Sequence, residues 1–405
     1  MSNEEKLVRM LKYVSEHNDF YKKRIKEYGI TNPLDITQWP VLTRKELQEN
    51  RYNMFSDGYK SKYFNQQLRR QSSSGSTGIP VNVYWDYKDW YASNMCLWRK
   101  RLEWYGIKPN SKYCIFTLNA FGITPEEGKL YYINEPSNVL SFNVSLVREE
   151  SGYEQMAKLI NNFEPDWLYI QPFVLNQLIR AYGLRNLAPT ESIYYIESVG
   201  EILTSELRKR AEEIFHVKVT NMYGSEEMNG IAYECPDRHM HVLQDNVYLE
   251  TGNCNEAIIT NLCNHSMPLI RYNQEDKISV EKSKCSYGNQ IDVLSSVLGR
   301  KLDIITVGNG VINPNCILEI MADVINQYND IVHSYSFEIS QSKRSIVCQI
   351  ELPVLQSFWL ESVENTIREA FSKKTIINNQ LTIDVRFIQR YEIDKKKRDI
   401  FRIVE

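Results

Sequence analysis

Apolar residues recur at helical spacing from the start of the chain: Leu7, Met10, Leu11 and Val14, then Phe20, Tyr21 and Ile25. This spacing predicts an amphipathic helix over residues 4–28, broken near Asn18 in the run His17-Asn18-Asp19-Phe20-Tyr21-Lys22. After the Trp39-Pro40-Val41-Leu42 turn, Thr43 stands three residues before Glu46. That pair predicts a capped helix start, because hydroxyl and carboxylate can each satisfy the other residue's backbone amide. Val81-Asn82-Val83-Tyr84-Trp85 alternates like a strand.

The middle of the chain alternates short apolar runs with helical spacing. Strands are expected at 113–116, 167–170, 192–199 and 217–221, and helices at 175–182 and 206–215, the latter capped by Thr204. Such a β–α–β rhythm implies right-handed crossovers and a sheet covered by helices. More β-like runs follow between 242 and 300, such as Ala257-Ile258-Ile259-Thr260. Beyond Arg300 the pattern changes to a helix near 316–327, strands at 333–339 and 345–352, a helix over about 355–371 and a strand near 381–387. The expected fold class is therefore α/β: a large N-terminal domain of helix-covered mixed sheets over residues 1–300, then a small α+β C-terminal domain over 301–405.

Composition narrows the function classes. A chain of 405 residues exceeds one ordinary core, which supports two domains. The net charge of −3 favours neither nucleic acid nor an anionic membrane surface as a partner. No run of 18 apolar residues is present, so no membrane span is expected. The charged Met-Ser-Asn-Glu-Glu-Lys start lacks the apolar core of a signal peptide, which makes a cytoplasmic location the expectation. A homodimer is compatible with this sequence but not readable from it.

Eight cysteines are scattered through the chain, and Cys235, Cys254, Cys263 and Cys285 share one stretch with His239, His241 and His265. No C-x-x-C pair occurs, so the spacing is unlike the usual zinc modules. Free thiols, not a structural zinc, are the expectation here.

The strongest chemical signal is Ser72-Ser73-Ser74-Gly75-Ser76-Thr77-Gly78-Ile79-Pro80. Glycine lets the backbone wrap a ligand closely. Successive free N–H groups make a concave anion site, to which hydroxyls add donors. The pattern is not the P-loop G-x-x-x-x-G-K-[ST], because Gly75 and Gly78 are three apart and no Lys follows. Composition alone would also allow a flexible linker. Two further loops follow expected strands, Val199-Gly200-Glu201 and Tyr223-Gly224-Ser225-Glu226-Glu227. Loops at the carboxyl ends of neighbouring strands form the crevice where open α/β sheets bind ligands.

The hydroxyl-rich loop resembles the Ser-Gly-(Ser/Thr)-Thr-Gly-x-Pro phosphate loop of adenylate-forming enzymes, within the branch of phenylacetate–CoA ligases and capsule-biosynthesis ligase-like proteins. Met267-Pro268-Leu269-Ile270-Arg271-Tyr272 and Leu298-Gly299-Arg300-Lys301-Leu302-Asp303 resemble later motifs of that family, in the same order. The resemblance covers residues 5–400. It implies ATP-dependent activation of a carboxylic acid as an acyl-adenylate, then transfer to CoA. Transfer to an amine or a sugar is an alternative, as is a non-catalytic nucleotide-binding member.

By position the resemblance gives the triphosphate to Ser73, Ser74, Gly75, Ser76, Thr77 and Gly78, and lines the nucleotide site with Gly200, Glu201, Gly224 and Ser225. It places Tyr223 on the adenine, Glu227 on Mg²⁺, Asp276 on the ribose hydroxyls and Arg300 on ribose or phosphate. One of Lys395, Lys396 and Lys397 becomes the adenylation lysine, and residues 301–303 the hinge of a mobile C-terminal domain. The chain departs from the family at Glu226, where Thr or Ser is usual, and lacks the glycines that usually precede the ribose Asp and the lysine.

Overall fold

The computed structural model describes residues 1–72, 81–117, 129–144, 147 and 150–300. Beyond these it describes 305–307, 310–312, 334–340, 345–352, 357–374, 382–389 and 401–404, with single residues between 321 and 355. The chain forms two compact units, each assembled from two stretches: Met1–Pro109 with Thr220–Lys301, and Asn110–Val219 with Leu302–Glu405.

The first unit begins with the helices Asn3–His17 and Asp19–Glu27, split as the spacing predicts. Asn18 ends one and caps the next through its side chain, which accepts from the Tyr21 amide. Thr43 and Glu46 form the expected capping box on Arg44–Asn50. Leu7, Met10, Leu11, Val14 and Tyr21 are buried in a core shared with Met267, Leu269 and Tyr272. The Tyr21 hydroxyl donates to the Pro268 carbonyl at 2.9 Å and accepts from the Ile270 amide at 3.0 Å. That one side chain satisfies two buried backbone groups of the Met267-Pro268-Leu269-Ile270 segment.

Seven strands of this unit form an antiparallel array in the order Val247–Thr251, Glu256–Asn261, Tyr272–Cys285, Gly288–Arg300, Met240–Val242, Asn229–Glu234 and Val219–Ser225. A separate pair, Arg69–Ser72 with Asn82–Trp85, flanks the hydroxyl-rich loop. The loop itself, residues 73–80, lies outside the described residues.

In the second unit the strands Tyr195–Val199, Trp167–Ile170, Tyr113–Thr117 and Val139–Asn143 run parallel in that order, and Tyr131–Asn134 closes the edge antiparallel. Their apolar side chains and those of the helices Glu150–Phe163, Pro172–Leu184 and Ser205–Phe215 make a second core. This is the helix-covered sheet that the β–α–β rhythm predicts. The C-terminal part carries the strand order Thr382–Gln389, Ser345–Leu352, Ser334–Ser340, Phe401–Val404, with Ser357–Lys374 packed on it around Phe337, Ile350 and Phe371. Most of the helix expected at 316–327 falls outside the described residues. No helix among the described residues is long and apolar enough to cross a membrane.

Candidate active site

Strand Val219–Ser225 extends through the Tyr223-Gly224-Ser225 run, which the sequence places in a loop, and turns directly into Asn229–Glu234. The two strands approach so closely at the turn that a Cβ on Gly224 would lie 2.4 Å from the Asn229 carbonyl oxygen. Glycine is therefore required there by space. This tight hairpin brings the motif's side chains to face strand Tyr272–Cys285, although three strands separate the two in sheet order.

The facing side chains form a ladder. The Tyr223 hydroxyl donates to the Asp276 carboxylate. Two residues on, the Ser225 hydroxyl donates to Gln274 Oε1 at 3.2 Å. Two further, Glu227 Oε1 accepts from the Tyr272 hydroxyl at 3.3 Å. Each step moves two residues forward on one segment and two back on the other. That is the period on which strand side chains return to one face. The residues that the sequence ties to adenine, ribose and metal thus stand in one row. Arg300 lies opposite Asp276 in strand register, so its backbone shares this end of the array.

Glu227 is only 1% exposed. Arg44 Nη1 reaches its Oε1 at 3.3 Å from the first turn of helix Arg44–Asn50. Its other oxygen, Oε2, is buried and has no hydrogen-bond partner among the described residues. A buried carboxylate oxygen left this way is costly unless something completes its shell. It is a donor that a hard divalent cation prefers, so the residues present fit Mg²⁺. The facing Tyr272 hydroxyl has its pKa raised, first by burial and then by the Glu227 charge.

Glu226 points elsewhere. Its carboxylate accepts from Gln71 Nε2 at 3.2 Å, and the same amide donates to Asn229 Oδ1 at 3.1 Å. Burial raises the Glu226 pKa, Gln71 pulls it down, and the neighbouring Glu227 charge adds to the rise. Asn229 donates on to Ser93, which donates to the buried Asn246. Gln71 therefore ties the strand that enters the hydroxyl-rich loop to the Glu226 turn. Sequence reasoning gives no role to Arg44, Gln71, Tyr272 or Gln274. The period-two spacing of 272, 274 and 276 against 227, 225 and 223 was the available signal.

In the second unit, Gly200 follows its strand with φ +77°, a backbone conformation that glycine adopts without penalty. Its neighbour Glu201 accepts from the Phe173 amide at 2.9 Å, at the start of helix Pro172–Leu184. The carboxylate caps that helix and complements its positive end. Gln171, just before the helix, donates to the Phe116 carbonyl at 2.9 Å. The Gly200 loop and the Gln171-Pro172-Phe173 segment are thus joined through Glu201. Ser73, Ser74, Gly75, Ser76, Thr77 and Gly78, the hinge at 301–303, and Lys395, Lys396 and Lys397 lie outside the described residues. The Arg300 side chain also lies outside what the structure describes.

No protein-family model matches the chain. A phenylacetate–coenzyme A ligase of Thermus thermophilus is 23% identical over 393 residues, covering 91% of this chain and 85% of the relative. Protein CapK of Staphylococcus aureus is 22% identical over 303 residues, covering 72% of this chain and 66% of the relative. Among solved structures, a 2-hydroxyisobutyryl-CoA ligase in the postadenylation state, bound to an acyl-AMP, superposes with a TM-score of 0.74 at 17% identity. That match covers 100% of this chain and 88% of the other. Motif order and fold thus agree with adenylate-forming ligases over nearly the whole chain, phenylacetate–CoA ligases being among the relatives that it resembles.

Proposed function

We propose that this protein is an AMP-forming acid ligase that activates a carboxylic acid with ATP and transfers the acyl group to CoA. The observation that carries the reading is the side-chain ladder Tyr223–Asp276, Ser225–Gln274 and Glu227–Tyr272. It sets an aromatic ring, a diol acceptor and a buried carboxylate in one row, the set a nucleotide with its cation needs.

In the first half-reaction a carboxylate oxygen attacks the α-phosphorus of ATP. The bond to the β-phosphate breaks, and pyrophosphate leaves. The protein supplies position and charge to this step more than covalent chemistry. Tyr223 offers its ring to the adenine, and Asp276 accepts from the ribose hydroxyls. The hydroxyl-rich loop, Ser73 to Gly78, holds the outer phosphates through backbone amides and hydroxyls. Arg300 presents a guanidinium to ribose or phosphate. Glu227 Oε2 would hold Mg²⁺, which when bound offsets the charge of the triphosphate. Arg44 and Tyr272 fix that carboxylate from its other oxygen. One of Lys395, Lys396 and Lys397 neutralises charge as carboxylate and phosphate meet.

In the second half-reaction the CoA sulfur attacks the acyl carbon and AMP leaves with its phosphate oxygen. Rotation about 301–303 exchanges the lysine for the thiol. The acyl group sits between the start of helix Pro172–Leu184 and the Gly200 loop. A second reading is transfer to an amine or a sugar, the alternative that the resemblance in sequence leaves open.

The test is pyrophosphate release from ATP and Mg²⁺ with pooled aryl, fatty and amino acids, with and without CoA. Acid-dependent release that rises with CoA is expected. Acid-dependent release that CoA leaves unchanged would favour the amine or sugar reading. Unchanged ATP in every pool, in a protein that binds ATP by calorimetry, would oppose both.

A further inference from the structure

We propose a structural zinc site made by Cys235, His239, His241 and Cys285, at the end of the antiparallel array remote from the Asp276 terminus of strand Tyr272–Cys285. The metal-binding atoms of Cys235, His239 and Cys285 all lie within 4.8 Å of one another. The two sulfurs are 4.0 Å apart, and Cys285 Sγ is 3.3 Å from His241 Nε2. In a tetrahedron with zinc–sulfur bonds of about 2.3 Å and zinc–nitrogen bonds of about 2.0 Å, ligand atoms are separated by about 3.3–3.8 Å. The two sulfurs and the Cys285–His241 pair already have those separations to within a few tenths of an ångström, and His239 lies within reach of the same centre.

Two turns build it. Strand Asn229–Glu234 ends at Cys235, and the Pro236-Asp237-Arg238 turn returns the chain to His239, whose carbonyl accepts from the Cys235 amide at 2.9 Å. Arg238 takes φ +68° there, so the turn is held in a conformation uncommon for a side-chain-bearing residue. His239 and His241 are two apart on an extended segment and so share a face. Cys285 comes from the tip of the hairpin joining Tyr272–Cys285 to Gly288–Arg300. The Ser286 amide donates to Asp237 Oδ2 at 2.9 Å and so ties the two tips together.

The surroundings are those of a metal site. The Tyr287 amide donates to Cys285 Sγ at 3.4 Å, which orients that sulfur as a ligand. His239 Nδ1 is buried with no hydrogen-bond partner among the described residues. Trp104 lies edge-on to His241 at 4.8 Å and covers the cluster beside Tyr287. Two sulfurs and two imidazoles suit zinc over magnesium or calcium, which prefer oxygen. Four protein ligands close the shell, so the ion has no open position for chemistry. The spacing in sequence hides the site, because 45 residues separate His239 from Cys285 and no C-x-x-C pair marks it.

Zinc content of the full-length protein, purified without chelator, is the first readout. About one zinc per chain is expected. Cobalt substituted into the reduced, metal-stripped protein should give a thiolate-to-metal charge-transfer band and the intense visible bands of tetrahedral cobalt. The band should weaken in Cys285→Ser and in His241→Ala, while Cys254→Ser, outside the cluster, leaves it unchanged. Protein isolated without metal whose reduced form gives no cobalt charge-transfer band overturns the proposal. So does a stable Cys235–Cys285 disulfide in the purified protein that persists where zinc is supplied in excess. Both readouts use the unaltered chain, so they hold even if a variant fails to fold.

Discussion

Glu226 is the residue that most distinguishes this site. A carboxylate stands where the family resemblance calls for a hydroxyl, and burial raises its pKa. A carboxyl group whose folded pKa is raised favours the proton. The folded state therefore loses stability relative to the unfolded chain as pH rises through that window. Glu226→Gln keeps an acceptor for Gln71 and removes the charge. Its thermal midpoint should exceed that of the parent protein at about pH 8 and approach it near pH 4. A midpoint difference independent of pH would show that Glu226 does not titrate as described. With the triphosphate on the hydroxyl-rich loop as proposed, Glu226→Thr should also lower the KM for ATP, since Gln71 ties Glu226 to the strand entering that loop.

Glu46 titrates in the opposite sense. Burial raises its pKa, but the Thr43 amide, the Arg24 guanidinium and the Thr43 hydroxyl outweigh it, and the net shift is down. Stability from a depressed carboxylate is present above its unfolded pKa and is lost as pH falls through the folded one. Arg24 is buried and bonds Glu46 at 2.6 Å. Glu46→Gln leaves that guanidinium without its counter-charge, and should cost about 2–3 kcal/mol in urea unfolding at neutral pH. The deficit should shrink in acid. An equal deficit at every pH would mean that the capping bonds, and not the charge pair, carry the effect.

At the scale of elements, the N-terminal helices do more than cover the sheet. Tyr21 links helix Asp19–Glu27 to the segment that leads into Tyr272, and Leu42 pairs with the same region, its amide bonding the Arg271 carbonyl at 2.9 Å. Tyr21→Phe leaves a buried carbonyl and a buried amide without that hydroxyl, and should cost about 2 kcal/mol. An unchanged denaturant midpoint would refute this. Gly224→Ala tests the hairpin. The added Cβ would meet backbone at 2.4 Å, so the two strands must separate and the ladder must shift. Weaker ATP binding together with lower stability is expected, whereas binding that survives intact would detach the ladder from nucleotide recognition.

The helices with one apolar face and a capping residue were legible in the sequence, because both signals are local. Helix Tyr87–Tyr105 was not. It buries Ser93 and Arg101 while exposing Tyr87, Tyr91, Met95 and Leu102, so apolar and polar residues fall on both faces and no period stands out. The ladder was half legible. Tyr223, Glu227 and Asp276 are found by resemblance, but Gln274 and Tyr272 meet their partners only once the antiparallel array brings two distant segments face to face. Arg44 joins them from a third segment, far from both in the chain. Pairing across such distances leaves no mark in any short window of sequence.

At the scale of the molecule, each unit is made of two stretches that are not contiguous in sequence. The chain passes between them near residues 109, 219 and 301. The first unit holds the ladder, and the second holds the Gly200 loop and the Glu201-capped helix. Under the proposed function the ladder serves the nucleotide, and the Gly200 loop serves both nucleotide and acid. The protein would then make an acyl-adenylate before any acceptor is present. Acid-dependent exchange of radiolabelled pyrophosphate into ATP, without CoA, measures that step alone. Exchange is expected with at least one acid, reduced by about 100-fold or more in Asp276→Ala. A folded, ATP-binding protein that shows no exchange with any acid, or shows exchange that Asp276→Ala leaves untouched, would contradict it.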